Sequence, residues 1–130
     1  MSVTISMPII LTRELTPNGR QGWRAHARTV KRLRDDAQRA TASWLNDPTS
    51  GLSAFCGATT TPTTLDVIIE WPKGRKRLDD DNAKATLKPV LDGVADALWH
   101  GSDRHVTIGE VTQTRGAGGL TLTLRTREAA

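Results

Sequence analysis

The side chains best suited to chemistry are concentrated in residues 73–82, KGRKRLDDDN, where Lys73, Arg75, Lys76 and Arg77 run directly into Asp79, Asp80 and Asp81. In an extended backbone Asp79 and Asp81 share one side and Asp80 faces the other, because strand side chains alternate. Two carboxylates on one side repel each other unless a cation lies between them. Hard oxygen donors with incomplete protein coordination suit Mg²⁺, which keeps waters and accepts phosphate oxygens as further ligands. The adjoining basic run is what a phosphate-bearing ligand needs. The same residues also suit a plainer role, since aspartates at a helix start cap its amides and favour its dipole. An EF-hand does not fit, because DDDNAK lacks the ligand at its fifth position and the glycine at its sixth. An Asp…Glu-x-Lys nuclease motif is approached by Asp66, Glu70 and Lys73, but the Glu-to-Lys spacing is one residue too long and Pro72 intervenes.

Further along, Lys88, Asp92 and Asp96 recur at i, i+4 and i+8, one stripe of a helix. A surface ion-pair ladder is one reading. Against it, a lysine in a first turn opposes the helix dipole, and Lys ahead of Asp is the weaker order for such a pair. A lysine placed against local preference beside an acidic run is a candidate for holding a phosphate. Asp103, in the segment HGSDRH, can return towards Asp79 and Asp81 only through tertiary packing, and its flanking His100 and His105 are candidate bases or ordinary exposed histidines. Arg24, Arg28, Lys31 and Arg32 make a basic face, either solvated or phosphate-contacting.

The elements that must position these residues follow from periodicity. Residues 3–11 are apolar and β-rich, a first strand, and residues 12–22 read as a loop around Pro17, Asn18 and Gly19. Trp23, Ala27, Val30, Ala37 and Trp44 then mark one apolar stripe of a helix over residues 23–45. Residues 46–62, rich in Gly, Ser, Thr and Pro, are expected to be a long loop, and TLDVIIEW at 64–71 is the best strand. A second helix ends near Trp99, with Leu87, Leu91, Val94 and Leu98 on its buried face. Pro89 is tolerated only in a first turn, so the regular helix is expected to begin within residues 85–88, after the acidic run. Residues 106–114 and 120–127 are strands joined by the glycine-rich turn GAGG. The order β-α-β-α-β-β predicts an α+β fold, one domain over residues 1–130, with a mixed sheet of about four strands and two main helices.

Composition sets the frame. Lys and Arg exceed Asp and Glu by 18 to 14, the formal charge is +4 and the pI about 9.8, a balance that favours a polyanionic partner. With four Trp, one Phe and no Tyr, tryptophan is expected to carry much of the packing. The single Cys56 excludes an internal disulfide and a cysteine zinc site, and no Ser-His-Asp or Cys-His arrangement has support. No apolar run approaches the roughly 20 residues of a membrane span. The N-terminus lacks the basic region and apolar core of a signal peptide, so an intracellular, cytoplasmic protein without membrane attachment is expected.

Taken in order, LDDDN, TLKPVLDGVADAL and SDRHV resemble the RusA family of Holliday junction resolvases, particularly its phage and prophage versions. The upstream segment LTPNGRQGWRAHARTVKRLR resembles that family's N-terminal region, so the likeness covers roughly residues 11–111. It matches Asp79, Asp81 and Asn82 to the family's Asp-x-Asp-Asn motif, Lys88 and Asp92 to its helical Lys and Asp, and Asp103 to its final essential Asp. Where the family's best-known form carries its lysine, this chain has Ala85; Lys88 takes that role if three residues are inserted, and Lys84 is the alternative. The last acidic site reads Ser102-Asp103 in place of Asp-Asp.

The resemblance implies a homodimer that nicks opposite strands of a four-way DNA junction. Mg²⁺, with Mn²⁺ able to substitute, would be held by Asp79, Asp81 and Asp103, and Lys88 would stabilise transition-state charge. Arg24, Arg28, Lys31, Arg75, Lys76 and Arg77 would contact DNA, with Asp92 and Lys84 as possible further site residues. Three carboxylates held close without metal should have raised pKa values. Two alternatives stay open: a branched-DNA-binding protein without catalysis, and a nuclease preferring flaps or forks.

Overall fold

The computed structural model describes residues 2–11, 22–57, 59–75 and 77–126, so the loop expected at 12–22 lies, apart from Gly22, outside the described residues. Along the chain come β1 (Ser2–Met7), α1 (Trp23–Leu45), a 3-10 turn (Leu52–Phe55), β2 (Thr63–Pro72), α2 (Asp80–Thr86), α3 (Lys88–Leu98), β3 (Val106–Gly116) and β4 (Gly119–Thr126). The strands form one mixed sheet in the order β1-β4-β2-β3, with β2 parallel to β3 and β4 antiparallel to both β1 and β2. This is the expected α+β class with its four-stranded mixed sheet.

Alternation builds the sheet. Leu65, Val67, Ile69 and Trp71 of β2 and Leu120, Leu122 and Leu124 of β4 all point inward and are buried. They share one core with Ile5 and Met7 of β1, with Leu33 and Ala37 of α1, and with Leu87, Val90, Leu91, Val94 and Leu98 from the second helical region. The face predicted for that helix is thus the buried one.

The two strands expected on either side of GAGG are present, but β3 and β4 do not pair with each other, because β2 lies between them. The local turn signal loses to burial. The fully apolar alternation of β4 earns a central place, whereas β3 is half-buried and takes an edge. The connection crosses the end of β2, where the Gly118 N–H donates to Glu70 Oε1 (3.2 Å). A side chain at Gly116 would collide with the Glu70 carboxylate, its Cβ only 2.8 Å from Glu70 Cγ.

The stripe expected on α1 is right in its later turns and wrong at its start. Leu33, Ala37 and Thr41 are the buried positions, Val30 and Trp44 are half-buried, and Trp23 is 76% exposed with Ala27 also outside the core. The first turn of α1 lies outside the core that the described residues form. Of the four tryptophans, Trp71 and Trp99 are fully buried and Trp44 donates its indole N–H to Ser6 O (2.8 Å). The region 46–62 is not simply loop either: Leu52 and Phe55 of the 3-10 turn are buried.

α1 and α3 pack closely because α3 has no side chain at the crossing. A Cβ on Gly93 would lie 2.7 Å from Ala37 Cβ and 2.9 Å from Gln38 N, and would run into the Arg34 carbonyl. Beside this crossing Arg34 grips Asp96 through two bonds, Nε to Oδ2 at 2.6 Å and Nη2 to Oδ1 at 2.8 Å.

Candidate functional site

The acidic run turns helical at Asp80 while Asp79 stays extended as the N-cap, and this changes its geometry. Asp79 is the N-cap of α2: its Oδ1 accepts from the Asn82 N–H (2.8 Å) and its Oδ2 from Asn82 Nδ2 (3.0 Å). Asp80 and Asp81 occupy the first turn, where the helix dipole favours negative charge. The period-two argument that set Asp79 and Asp81 on one side therefore does not apply. The capping preference of Asp79, reinforced by its second bond to Asn82, starts the helix at Asp80 in place of a continued extended backbone. All three carboxylates are exposed. The long regular helix begins at Lys88, within the expected range, with Pro89 in its first turn.

Lys88 is the centre of the second cluster. Its Nζ donates to Asp92 Oδ1 (2.9 Å) and to Asp103 Oδ2 (2.6 Å). The first bond is the local i,i+4 pair. The second joins residues fifteen apart and depends on how the 99–105 segment is anchored. Trp99, 1% exposed, donates its indole N–H to Phe55 O (2.7 Å), and Gly57 N donates to Leu98 O (2.9 Å). The Ser102 N–H then bonds Trp99 O, and the Val106 N–H closes on Asp103 O, both at 3.0 Å. Asp103 is thus fixed between a buried indole and the start of β3. Asp96, expected on the same ladder, turns instead to Arg34.

The electrostatics follow the contacts. The Lys88 hydrogen bond holds the Asp103 carboxyl below the usual carboxylate range, against the opposing effect of burial. Lys88 is correspondingly raised, first by Asp103 and then by Asp92. The expectation of raised carboxyls is overturned at Asp103, because its close neighbour is a cation rather than another carboxylate. His105 is pushed down by burial; its ring stands edge-on to Trp99 at 4.6 Å, and neither nitrogen finds a partner among the described residues.

Among the described residues no group of three or more His, Cys, Asp or Glu side chains is arranged to hold a metal ion. The donor chemistry nevertheless fits Mg²⁺, which commonly binds through one or two carboxylates and completes its shell with waters and substrate phosphates. Asp79, Asp81 and Asp103, expected to share the ion, do not form such a group: Asp79 accepts from Asn82 and Asp103 from Lys88.

The remaining expected residues are placed as follows. Arg24, Arg28 and Lys31 lie exposed on α1, with the Arg24 guanidinium 5.2 Å from the centre of the Trp23 ring. Arg75 and Arg77 are exposed in the loop after β2, and Lys76 lies outside the described residues. Lys84 is exposed on α2 and forms no ion pair among the described residues. Asp66 and Glu70 have structural partners: Asp66 accepts from Arg125 Nε (2.7 Å) and the Glu110 N–H (2.9 Å), and Glu70 from Gly118.

Two residues not anticipated from sequence hold the loop that carries the run. Gln113 of β3 bonds both backbone groups of Leu78, and Arg115 Nη1 donates to the carbonyls of Pro72 (3.2 Å) and Arg75. The available signal was strand alternation, which sets Gln113 and Arg115 on the side of Val111, a residue packed against the core.

No protein-family model matches the chain. It is 33% identical over 129 residues to a protein of Xylella fastidiosa strain Temecula1 described as "Uncharacterized protein", a match spanning 95% of this chain and 74% of that protein. The chain belongs to the same family as that Xylella protein. Among the described residues no helix is long and apolar enough to cross a membrane.

Proposed function

We propose that the chain is a Mg²⁺-dependent, structure-specific DNA endonuclease that resolves four-way junctions by paired nicks, in DNA recombination and repair. The observation that carries this reading is the contact of Lys88 with both Asp92 and Asp103. These are the three residues that the RusA resemblance selects after its Asp-x-Asp-Asn motif, and the fold joins them across fifteen positions.

Asp79, Asp81 and Asp103 would hold the metal, which when bound makes a water more acidic and orients it towards phosphorus. Lys88 supplies positive charge where the phosphate oxygens gain negative charge. An ammonium has three donors, and two are used by Asp92 and Asp103, so a third is left for a phosphate oxygen. The ammonium side chain is 60% exposed and accessible to one. Arg24, Arg28, Lys31, Arg75 and Arg77 are exposed cations suited to backbone phosphates, which position DNA without reading its sequence. Symmetric nicks need two active sites, so the working form is a homodimer, acting inside the cell where junction DNA occurs.

A second reading is a branched-DNA-binding protein without catalysis. It is favoured by the capping bonds of Asp79, which give the acidic run a structural purpose without metal. Cleavage of a labelled four-way junction in Mg²⁺ and in Mn²⁺, beside linear duplex, flap and fork substrates and with an Asp81→Asn variant, separates the readings. Paired nicks confined to the junction and lost in the variant are expected. Tight junction binding without cleavage in either metal would overturn the enzyme reading, and preferential nicking of flaps or forks would move its substrate.

A further inference from the structure

The acidic run hangs from a single inward-pointing residue. Leu78 is 9% exposed, whereas Arg77 before it and Asp79 after it are exposed, so the backbone dips into the protein once before α2 begins. Both polar groups of that backbone end on one side chain. Gln113 Oε1 accepts from the Leu78 N–H (3.0 Å), and Gln113 Nε2 donates to Leu78 O (2.8 Å). The same Oε1 accepts from the indole of Trp71 (2.9 Å), which is 2% exposed. The primary amide meets both needs at once, its oxygen accepting from the peptide N–H and its nitrogen donating to the carbonyl beside it, whereas a carboxylate has no donor and Lys or Arg no acceptor. Asn would fall one methylene short. One residue beyond the clamp, Asp79 caps α2 and the acidic run starts.

We propose that Gln113 is a positioning residue of the site: it fixes the height at which Asp79 and Asp81 emerge, relative to the Lys88–Asp103 pair. Its amide works from a sheet strand, so the placement is tied to the sheet and not to the loop alone. Arg115, two residues on, fastens the other end of that loop through the carbonyls of Pro72 and Arg75. The catalytic consequence rests on reading the carboxylates as a nuclease site, whereas the clamp itself does not.

The test uses the full chain as wild type, Gln113→Met, Gln113→Glu and Ile108→Val, the last a mild destabilisation of the same strand away from the loop. Residue-resolved amide hydrogen exchange is measured beside junction cleavage across a Mg²⁺ titration. Exchange at Leu78 and Asn82 should quicken at least about tenfold in Gln113→Met with Leu122 unchanged, and cleavage kcat should fall about 10- to 100-fold at unchanged KM for the junction. The Mg²⁺ concentration for half-maximal rate should rise with it. Ile108→Val should cleave at the wild-type rate per folded molecule. Gln113→Met removes the acceptor of a buried indole; if that variant does not fold, Gln113→Glu, which keeps the acceptor for the indole and the Leu78 N–H but loses the donor to Leu78 O, is judged on exchange at Asn82 and on cleavage. Exchange at Leu78 and Asn82 that stays at the wild-type rate, or that rises equally at Leu122, overturns the proposal, as does quickened exchange with undiminished cleavage. If the wild-type chain nicks no junction, the nuclease reading falls and the clamp is judged on exchange alone.

Discussion

Substituting Gly93 by alanine sets two opposed effects of known size against each other. In a helix interior alanine is favoured over glycine by about 1 kcal/mol, so on propensity alone Gly93→Ala should stabilise α3. The fold opposes this. The new methyl would sit 2.7 Å from Ala37 Cβ and 2.9 Å from Gln38 N, and against the Arg34 carbonyl. Carbon pairs are at rest at about 3.5–4.0 Å, so the helices must part by on the order of 1 Å. A gap of that size forfeits roughly a quarter to a half of each dispersion contact along the seam. Two of the obstructing groups are backbone atoms that no rotamer change can move. Overpacking of this kind costs about 1–3 kcal/mol or more, and with such obstacles the upper end applies, leaving a net loss of about 2 kcal/mol. For a domain of this size that lowers Tm by roughly 5–10 °C. Thermal and urea unfolding of the two proteins, with unchanged m-values, measure it. A Tm equal to or above wild type would refute the reasoning, because it would mean that α1 and α3 have slack at their crossing.

Three further expectations concern the site. Asp79→Ala should cost about 1 kcal/mol through loss of the cap, whereas Asp79→Asn keeps the cap and should stay near wild-type stability while losing junction cleavage; equal cleavage by Asp79→Asn and wild type would deny that carboxylate a metal role. Lys88→Met should change stability by less than about 1 kcal/mol, because the pair is well exposed and screened, yet reduce cleavage about 100-fold or more; comparable losses in both would make Lys88 a structural residue. The pH dependence follows from the same pair. Asp103 is depressed in the folded state, so its contribution is present above the unfolded value of about 4 and fades as pH falls through the lower folded one. Lys88 is raised, so its share persists until pH climbs beyond the ordinary lysine range. The stability difference between wild type and Asp103→Asn should therefore be level from about pH 5 to 9 and shrink below about pH 4; an equal difference at pH 3 and pH 7 would contradict it.

Periodicity by itself determined the central strands and the buried face of the second helical region. Leu65, Val67, Ile69 and Leu120, Leu122, Leu124 can all be buried only as strands, and Leu87, Leu91, Val94 and Leu98 only as one helical face. Pro89 placed the start of α3, since a missing N–H is harmless only in a first turn. Three matters were settled by tertiary structure. Strand order follows relative burial, so the glycine-rich connection spans β2 instead of closing a hairpin. The backbone at Asp79–Asp81 depends on a cap bond and on the Gln113 clamp, one of which comes from a strand thirty-five residues away. The meeting of Lys88 with Asp103 goes with the anchoring of Trp99 on Phe55 O, a contact across forty-four positions. Local spacing encodes which face of an element is apolar. It carries no record of which distant polar group will satisfy a given backbone amide or charge, because that is decided when the apolar faces close on one another.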